Sequence, residues 1–199
     1  MDPKATGKNY DEAASWWLGQ MKESTYGIAA LERGLGFVQT RRHALDVGCG
    51  GEGRFLKILS EREFQCTGLD ISAKMIDLAA KRYPNAEFAV GDICSWQLPR
   101  LYDLITAWDS TFHLPLESHE PVLLKLCGEI AQNGVLLFTC GGGEEPGTAQ
   151  GELGGKQFEY SSLGVPWFVR LLWHFGCAVR NIEYDQYPQN HVYIVAQKI

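Results

Sequence analysis

The sequence predicts an α/β protein. A mostly parallel sheet is closed by an antiparallel hairpin and preceded by helices. Three observations carry this. From residue 44 onward, short apolar runs alternate with stretches of helical spacing, the pattern of a parallel sheet with right-handed crossovers. The first run, 44–47, breaks into Gly48-Cys49-Gly50-Gly51-Glu52-Gly53 and then a helical stretch. This order of strand, glycine turn and helix lets backbone approach a ligand closely and aims unpaired N–H groups at it. The last two β-rich runs, 178–184 and 191–197, are joined by a turn containing Pro188-Gln189-Asn190, so they pair as a hairpin.

Bulk properties narrow the classes. The chain has 199 residues, 45% of them hydrophobic and 21% charged, which suits one α/β domain. The net charge of −6, with lysines and arginines scattered, argues against a nucleic-acid binder, which needs a basic stripe. The cysteines at 49, 66, 94, 127, 140 and 177 form no C-x-x-C pair and sit in or beside apolar runs. They read as small buried hydrophobes, with no metal site expected, and reduced thiols fit the cytoplasm. The segment Met1-Asp2-Pro3-Lys4 lacks an apolar signal core. No run approaches the ~20 apolar residues of a membrane span.

The elements follow in order. Residues 1–9 read as a frayed polar end. A helix is expected over 10–21, capped by Asn9 or Asp11, with Ala13, Trp16, Trp17 and Met21 as its apolar stripe. A second helix is expected over 28–39. Strand 44–47 leads to helix 53–60. Strand 65–70 leads to a helix capped by Ser72 that runs to about Arg82. Strand 86–90 ends at Gly91-Asp92, and strand 102–107 opens a loop through Pro115. A helix over 117–131 is expected to end at Asn133-Gly134. The continuously apolar run 135–140 reads as a strand covered on both faces. Residues 141–156 hold many glycines and three glutamates and read as a long loop or lid. Residues 166–175 read as a helix with Pro166 in its first turn.

The glycine cluster fits G-x-G-x-x-G. Asp70, at the end of the second strand, lies where a ribose-binding carboxylate belongs. Alone, these would suggest a nicotinamide dinucleotide and an oxidoreductase. Asp46, inside the first strand end, suits instead a ligand with a positive charge. Asp92, at the third strand end, suits an exocyclic amine such as that of adenine. Three acidic strand ends describe a site for an amino acid, a ribose and an adenine. S-adenosylmethionine (SAM) contains all three, plus a sulfonium.

Residues 40–140 resemble the class I SAM-dependent methyltransferases. The resemblance rests on LDVGCGGEGRF, GLDISAKMIDLA, VGDI and YDLITAWDSTFHL, in that order. It implies a Rossmann-like three-layer sandwich with a seven-stranded sheet, and the terminal hairpin fits the family's reversed last strand. The domain plan is then a single unit, 1–199. It comprises a helical cap (1–40), a SAM-binding core (41–140) and a terminal part with lid loop, helix and hairpin (141–199). Carried over by position, Asp46 lines the methionine part of SAM with the backbone of Gly48, Cys49 and Gly50. Asp70 bonds the ribose hydroxyls, Ile71 packs on the adenine and Met75 closes that pocket. Asp92 meets the adenine amine, with Ile93 alongside. Trp108 comes near the methionine end, and Tyr10 reaches it from the cap. Glu52 departs from the family's usual glycine, so either it takes an unusual backbone angle or the turn is shifted by one residue. Its side chain is expected to point outward.

The same resemblance implies methyl transfer from SAM, leaving S-adenosylhomocysteine (SAH). The acidic balance and the aromatic residues Trp108, Phe112, Tyr160 and Trp167 favour a small, partly apolar acceptor. His113 follows the fourth strand, where open α/β sheets bind ligands, and is the candidate general base. Asp109 is a second candidate, binding substrate or orienting His113. Tyr160 and His191 are expected mainly in packing, and His43, His119 and His174 as structural. A non-catalytic SAM-binding protein, an RNA or protein methyltransferase and an NAD-dependent oxidoreductase are the alternatives.

Overall fold

The computed structural model describes residues 2–199. Its helices are α1 (Pro3–Met21), α2 (Ile28–Leu35), α3 (Arg54–Glu61), α4 (Ala73–Arg82), α5 (His119–Gly128) and α6 (Val165–His174). Its strands are β1 (His43–Val47), β2 (Gln65–Asp70), β3 (Glu87–Val90), β4 (Tyr102–Ala107), β5 (Ile130–Gly141), β6 (Gly147–Leu153), β7 (Lys156–Ser162), β8 (Cys177–Glu183) and β9 (His191–Lys198). A seven-stranded sheet has the order β3-β2-β1-β4-β5-β9-β8. Pairs from β3 through β5 are parallel, and β9 is antiparallel to both neighbours. The chain runs outward from β1 to β3, then returns to β4 on the other side of β1. That reversal leaves a crevice beyond the carboxyl ends of β1 and β4.

Alternation along the inner strands builds two apolar layers. Leu136, Phe138, Ile194 and Ala196 face α5 and α6 through Val122, Leu126, Phe168 and Leu172. Val135, Leu137, Tyr193 and Val195 face the opposite layer, with Leu31 of α2 and Phe55, Leu56 and Leu59 of α3. This doubly covered sheet is what a continuously apolar β5 predicts.

Several expectations change. The presumed frayed end is helical from Pro3. Asp2 caps it by accepting from the Lys4 N–H at 3.0 Å, with proline in the first turn. Asn9 and Asp11 are therefore inside α1, and its buried residues are Gly7, Ala13 and Ala14, while Trp16 is 42% exposed. The helix expected over 28–39 stops at Leu35, where Gly36 caps it. The helix expected to reach 131 ends at Gly128. Asn133-Gly134 instead forms an irregularity within β5, where the pairing register to β4 shifts. Asn133 takes a φ of 63°, and a Cβ on Gly134 would stand 2.9 Å from the Ala131 carbonyl oxygen.

The presumed lid over 141–156 is largely the first half of a second sheet, β6 paired antiparallel to β7. Leu153 pairs with Lys156 across Gly154 and Gly155, whose φ values are 59° and 73°. A two-residue hairpin loop with both φ positive is a type I′ turn, which Gly-Gly supplies at little steric cost. The ring of Trp16 packs on this turn: a Cβ at Gly154 would lie 3.0 Å from it.

Candidate functional site

A cavity lies at the crevice beyond β1 and β4. It is lined by every residue singled out above for cofactor or catalysis: Tyr10, Asp46, Gly48, Cys49, Gly50, Asp70, Ile71, Met75, Asp92, Ile93, Trp108, Asp109 and His113. The topology explains the meeting. These residues sit at strand ends or in the loops past them, except Met75 in the first turn of α4 and Tyr10, which α1 delivers. α1 docks there because Asp11 accepts from Ser72 Oγ at 2.6 Å and from the Lys74 N–H at 3.1 Å, at the start of α4. A carboxylate at a helix N-terminus is favoured by the helix dipole. Gly7 lets the backbones approach, since a Cβ there would lie 3.1 Å from the Ile71 carbonyl oxygen.

The glycine turn is tight. Gly48, Gly50 and Gly53 have φ of 72°, 60° and 53°. A Cβ on Gly48 would stand 2.4 Å from that of Ser110. Gly53 takes the left-handed angle, so the turn resolves around Glu52. The Glu52 side chain does not project into solvent as expected. It is only 14% exposed and pairs with Arg82 of α4 at 2.6 Å.

Buried carboxylates dominate the electrostatics. Asp46 is 4% exposed and accepts from Thr106 Oγ1 at 2.7 Å. Burial pushes its carboxyl up to about 7, against the lowering effects of Thr106 and Arg54. Asp70 accepts from the N–H groups of Gly50 (2.9 Å) and Ser72 (2.8 Å), tying β2's end to the glycine turn. Burial pushes it up to about 6. Asp92 accepts from the Cys94 N–H at 2.8 Å. Asp46 and Asp70 are short of donors, and a ligand with ammonium and hydroxyl groups would supply them.

Two polar groupings flank the cavity. Tyr10 donates to His113 Nε2 at 2.8 Å, while His113 Nδ1 lies 3.3 Å from the Glu159 carbonyl oxygen and donates to it. Burial lowers the His113 pKa to about 4, so the ring is neutral near pH 7, with its lone pair engaged by Tyr10. The rings of Phe158 and Tyr160 pack on this pair. Asp109 does not bond His113. Its Oδ1 accepts from His191 Nε2 at 2.9 Å and from the Tyr26 hydroxyl at 3.4 Å, and His191 Nδ1 meets Asp185 Oδ1 at 2.6 Å. Burial alone would lower the His191 pKa. The hydrogen bonds and charges of the two carboxylates outweigh it, and the net shift is upward. His191 lines a second cavity with Phe112, Glu145 and Tyr160.

Sequence reasoning missed Tyr26, Asp185 and Arg54. The Arg54 guanidinium lies over the rings of Tyr26 and Phe55, and its buried Nε has no hydrogen-bond partner among the described residues. Its place on the first turn after Gly53 was a usable signal. Tyr26 and Asp185 carried none, because they reach the site only through tertiary packing. Trp108 is buried among Tyr26, Phe55 and Tyr193. His119 is buried, 2.8 Å from Ser161 Oγ, in keeping with a structural role.

The methyltransferase domain model matches residues 44–134. Over these residues the chain is similar to a methyltransferase domain. Trans-aconitate 2-methyltransferase of Methylobacterium radiotolerans is 35% identical over 101 residues, covering 50% of this chain and 38% of that protein. The Rhizobium etli protein of the same name is 31% identical over 132 residues, covering 65% of this chain and 48% of its own. The match therefore spans less than half of those relatives' length. Among solved structures, the DhpI–SAH complex is 22% identical with a TM-score of 0.74, covering 98% of this chain and 96% of that one. The CcbJ methyltransferase from Streptomyces caelestis is 14% identical with a TM-score of 0.74, covering 100% and 99%. These likenesses establish that the methyltransferase fold extends over the whole described chain, terminal hairpin included.

Proposed function

We propose that the protein transfers a methyl group from SAM to a small-molecule acceptor. One observation carries this reading: Asp46, Asp70 and Asp92 ring a single cavity around a glycine turn. When bound, SAM supplies an electrophilic methyl group on a sulfonium, so alignment and exclusion of water are what remain for the protein. Asp70 holds the ribose hydroxyls and Asp92 the adenine amine, with Ile71, Met75 and Ile93 against the ring. Asp46 and the backbone around Gly48, Cys49 and Gly50 hold the amino-acid end. The unpartnered Arg54 Nε suits its carboxylate. Tyr10, latched by His113, closes the methionine end from α1 beside Trp108. With its lone pair engaged by Tyr10, His113 serves as this latch, and Asp109 is the better candidate to take a proton.

The net charge of −6 supports a small acceptor over a nucleic acid. Among the described residues no helix is long and apolar enough to cross a membrane. The free cysteines support a cytoplasmic setting. The cap, the SAM-binding core and the terminal part then act as one catalytic unit. Calorimetric titration with SAH, followed by transfer of labelled methyl from SAM to a metabolite extract, tests the reading. SAH binding without any labelled product would leave a binding protein in place of an enzyme.

A further inference from the structure

We propose that the acceptor is an amine whose ammonium is received by Asp109, with His191 and Asp185 as positioning residues that hold that carboxylate. This rests on the methyltransferase reading above. Asp109 sits in the left-handed region, with φ of 51°. Such strain persists where surrounding structure enforces it, and it clusters at ligand-handling positions. Here its N–H donates to Thr139 Oγ1 at 2.8 Å. The His191 ring then spans the Asp109 and Asp185 carboxylates at 2.9 and 2.6 Å. Ionised carboxylates only accept, so both ring N–H groups donate and the imidazolium is the form that satisfies all partners. Both bonds to Asp109 fall on Oδ1. Oδ2 takes no protein hydrogen bond among the described residues, and Asp109 lines the cofactor cavity.

Charge selects the acceptor class. Two cations stand near the methyl-receiving end. Arg54 is assigned to the cofactor carboxylate, and His191 is already shared by two carboxylates. The cavity that Asp109 lines carries the carboxylates of Asp46, Glu52, Asp70, Asp92 and Asp109 and, among the described residues, a single arginine, Arg54, and no lysine. A polycarboxylic acid would bring anions to these carboxylates with no free cation to meet them, which is costly in a partly buried site. An ammonium finds a carboxylate at Asp109, and the rings of Tyr10 and Trp108 line the same cavity as aromatic faces for its body and charge.

The step balances. The ammonium gives one proton to Asp109, and the amine nitrogen forms its bond to the methyl carbon as the sulfur–methyl bond breaks. The bond pair returns to sulfur, leaving SAH, and the proton passes from Asp109 to water.

The test begins with binding. Phenethylamine and trans-aconitate are each titrated into protein saturated with SAH. Phenethylamine is expected to bind, about tenfold more weakly in Asp109→Asn, and trans-aconitate to give no heat. With SAM present, methylation of phenethylamine should fall about 100-fold in kcat for Asp109→Asn. His191→Ala should lower kcat about tenfold with little change in KM, and His191→Gln, which keeps an N–H donor, should recover part of that loss. SAH affinity reports that each variant is folded. Failure of the wild type to bind SAH counts against the methyltransferase reading itself. With SAH bound, the amine assignment alone is overturned by trans-aconitate binding, by phenethylamine binding that ignores Asp109→Asn, or by no binding of phenethylamine.

Discussion

The two sides of the candidate site are built differently. On the cofactor side, Asp46, the glycine turn, Asp70 and Asp92 come from successive strand ends within one run of chain. On the acceptor side, Tyr26, Asp109, Asp185 and His191 meet from the cap, the loop after β4 and the two ends of the β8–β9 connection. Local chain geometry sets the first side, and the docking of separate elements sets the second. Changes to the first should act on cofactor binding and fold together. Changes to the second should act on turnover while leaving the cofactor held.

The largest effect is expected at Gly48. Gly48→Ala must adopt a φ of 72° and place a Cβ 2.4 Å from that of Ser110. Destabilisation of about 2–4 kcal/mol is expected, with loss of SAH binding, read by thermal melting and calorimetry. Wild-type stability would mean that the turn is not the rigid part of the site.

A smaller effect is expected at the Tyr10–His113 latch. Tyr10→Phe removes one hydrogen bond, worth about 1 kcal/mol, and should weaken SAH binding about fivefold. An unchanged affinity would show that the cap takes no part in holding cofactor.

Proton linkage sharpens the comparison further. Burial holds Asp46 near 7 and Asp70 near 6, both above the ordinary carboxylate range. In the free protein their contribution to stability is full below the unfolded carboxylate pKa and is lost as pH rises through those values. A ligand that donates to the ionised forms lowers both. Binding of SAH at pH 6.5 should therefore release protons and weaken as pH falls from 7 to 6. Titration in buffers of different ionisation enthalpy measures this, and no buffer dependence would break the assignment of Asp46 and Asp70.

The smallest effect is expected at the surface. Arg33 of α2 and Glu183 of β8 pair at 2.8 Å while 48% and 43% exposed, joining the cap to the terminal hairpin. Arg33→Ala should cost under about 1 kcal/mol in a denaturant melt, because exposed pairs are screened. A larger loss would mean that charge, rather than packing, joins these regions.

The same contrast explains what was legible in the sequence. Strands β1 to β4 and the glycine turn announce themselves by apolar runs ending in glycine and aspartate. That local signal was enough to place Asp46, Asp70 and Asp92 around one cavity. Asn133-Gly134 misled because the residues that end a helix also fit an irregular strand, and only pairing with β4 decides. The β6–β7 hairpin was hidden because its outward residues are polar and its glycines resemble a loop, although Gly154-Gly155 marks the turn. Asp109 is legible as a residue binding substrate or orienting His113, but its hydrogen-bond partner is not. That partner, His191, lies 82 positions away and is brought close by the pairing of β9 with β5.

The central claim is that the carboxylates at the strand ends hold SAM. Calorimetric titration of SAH into the wild type and Asp70→Ala tests it most directly. The account predicts saturable binding to the wild type and a loss of about 1–3 kcal/mol in the variant, the scale of charge-assisted hydrogen bonds. Equal affinity in the two proteins, or no binding to the wild type, would contradict it.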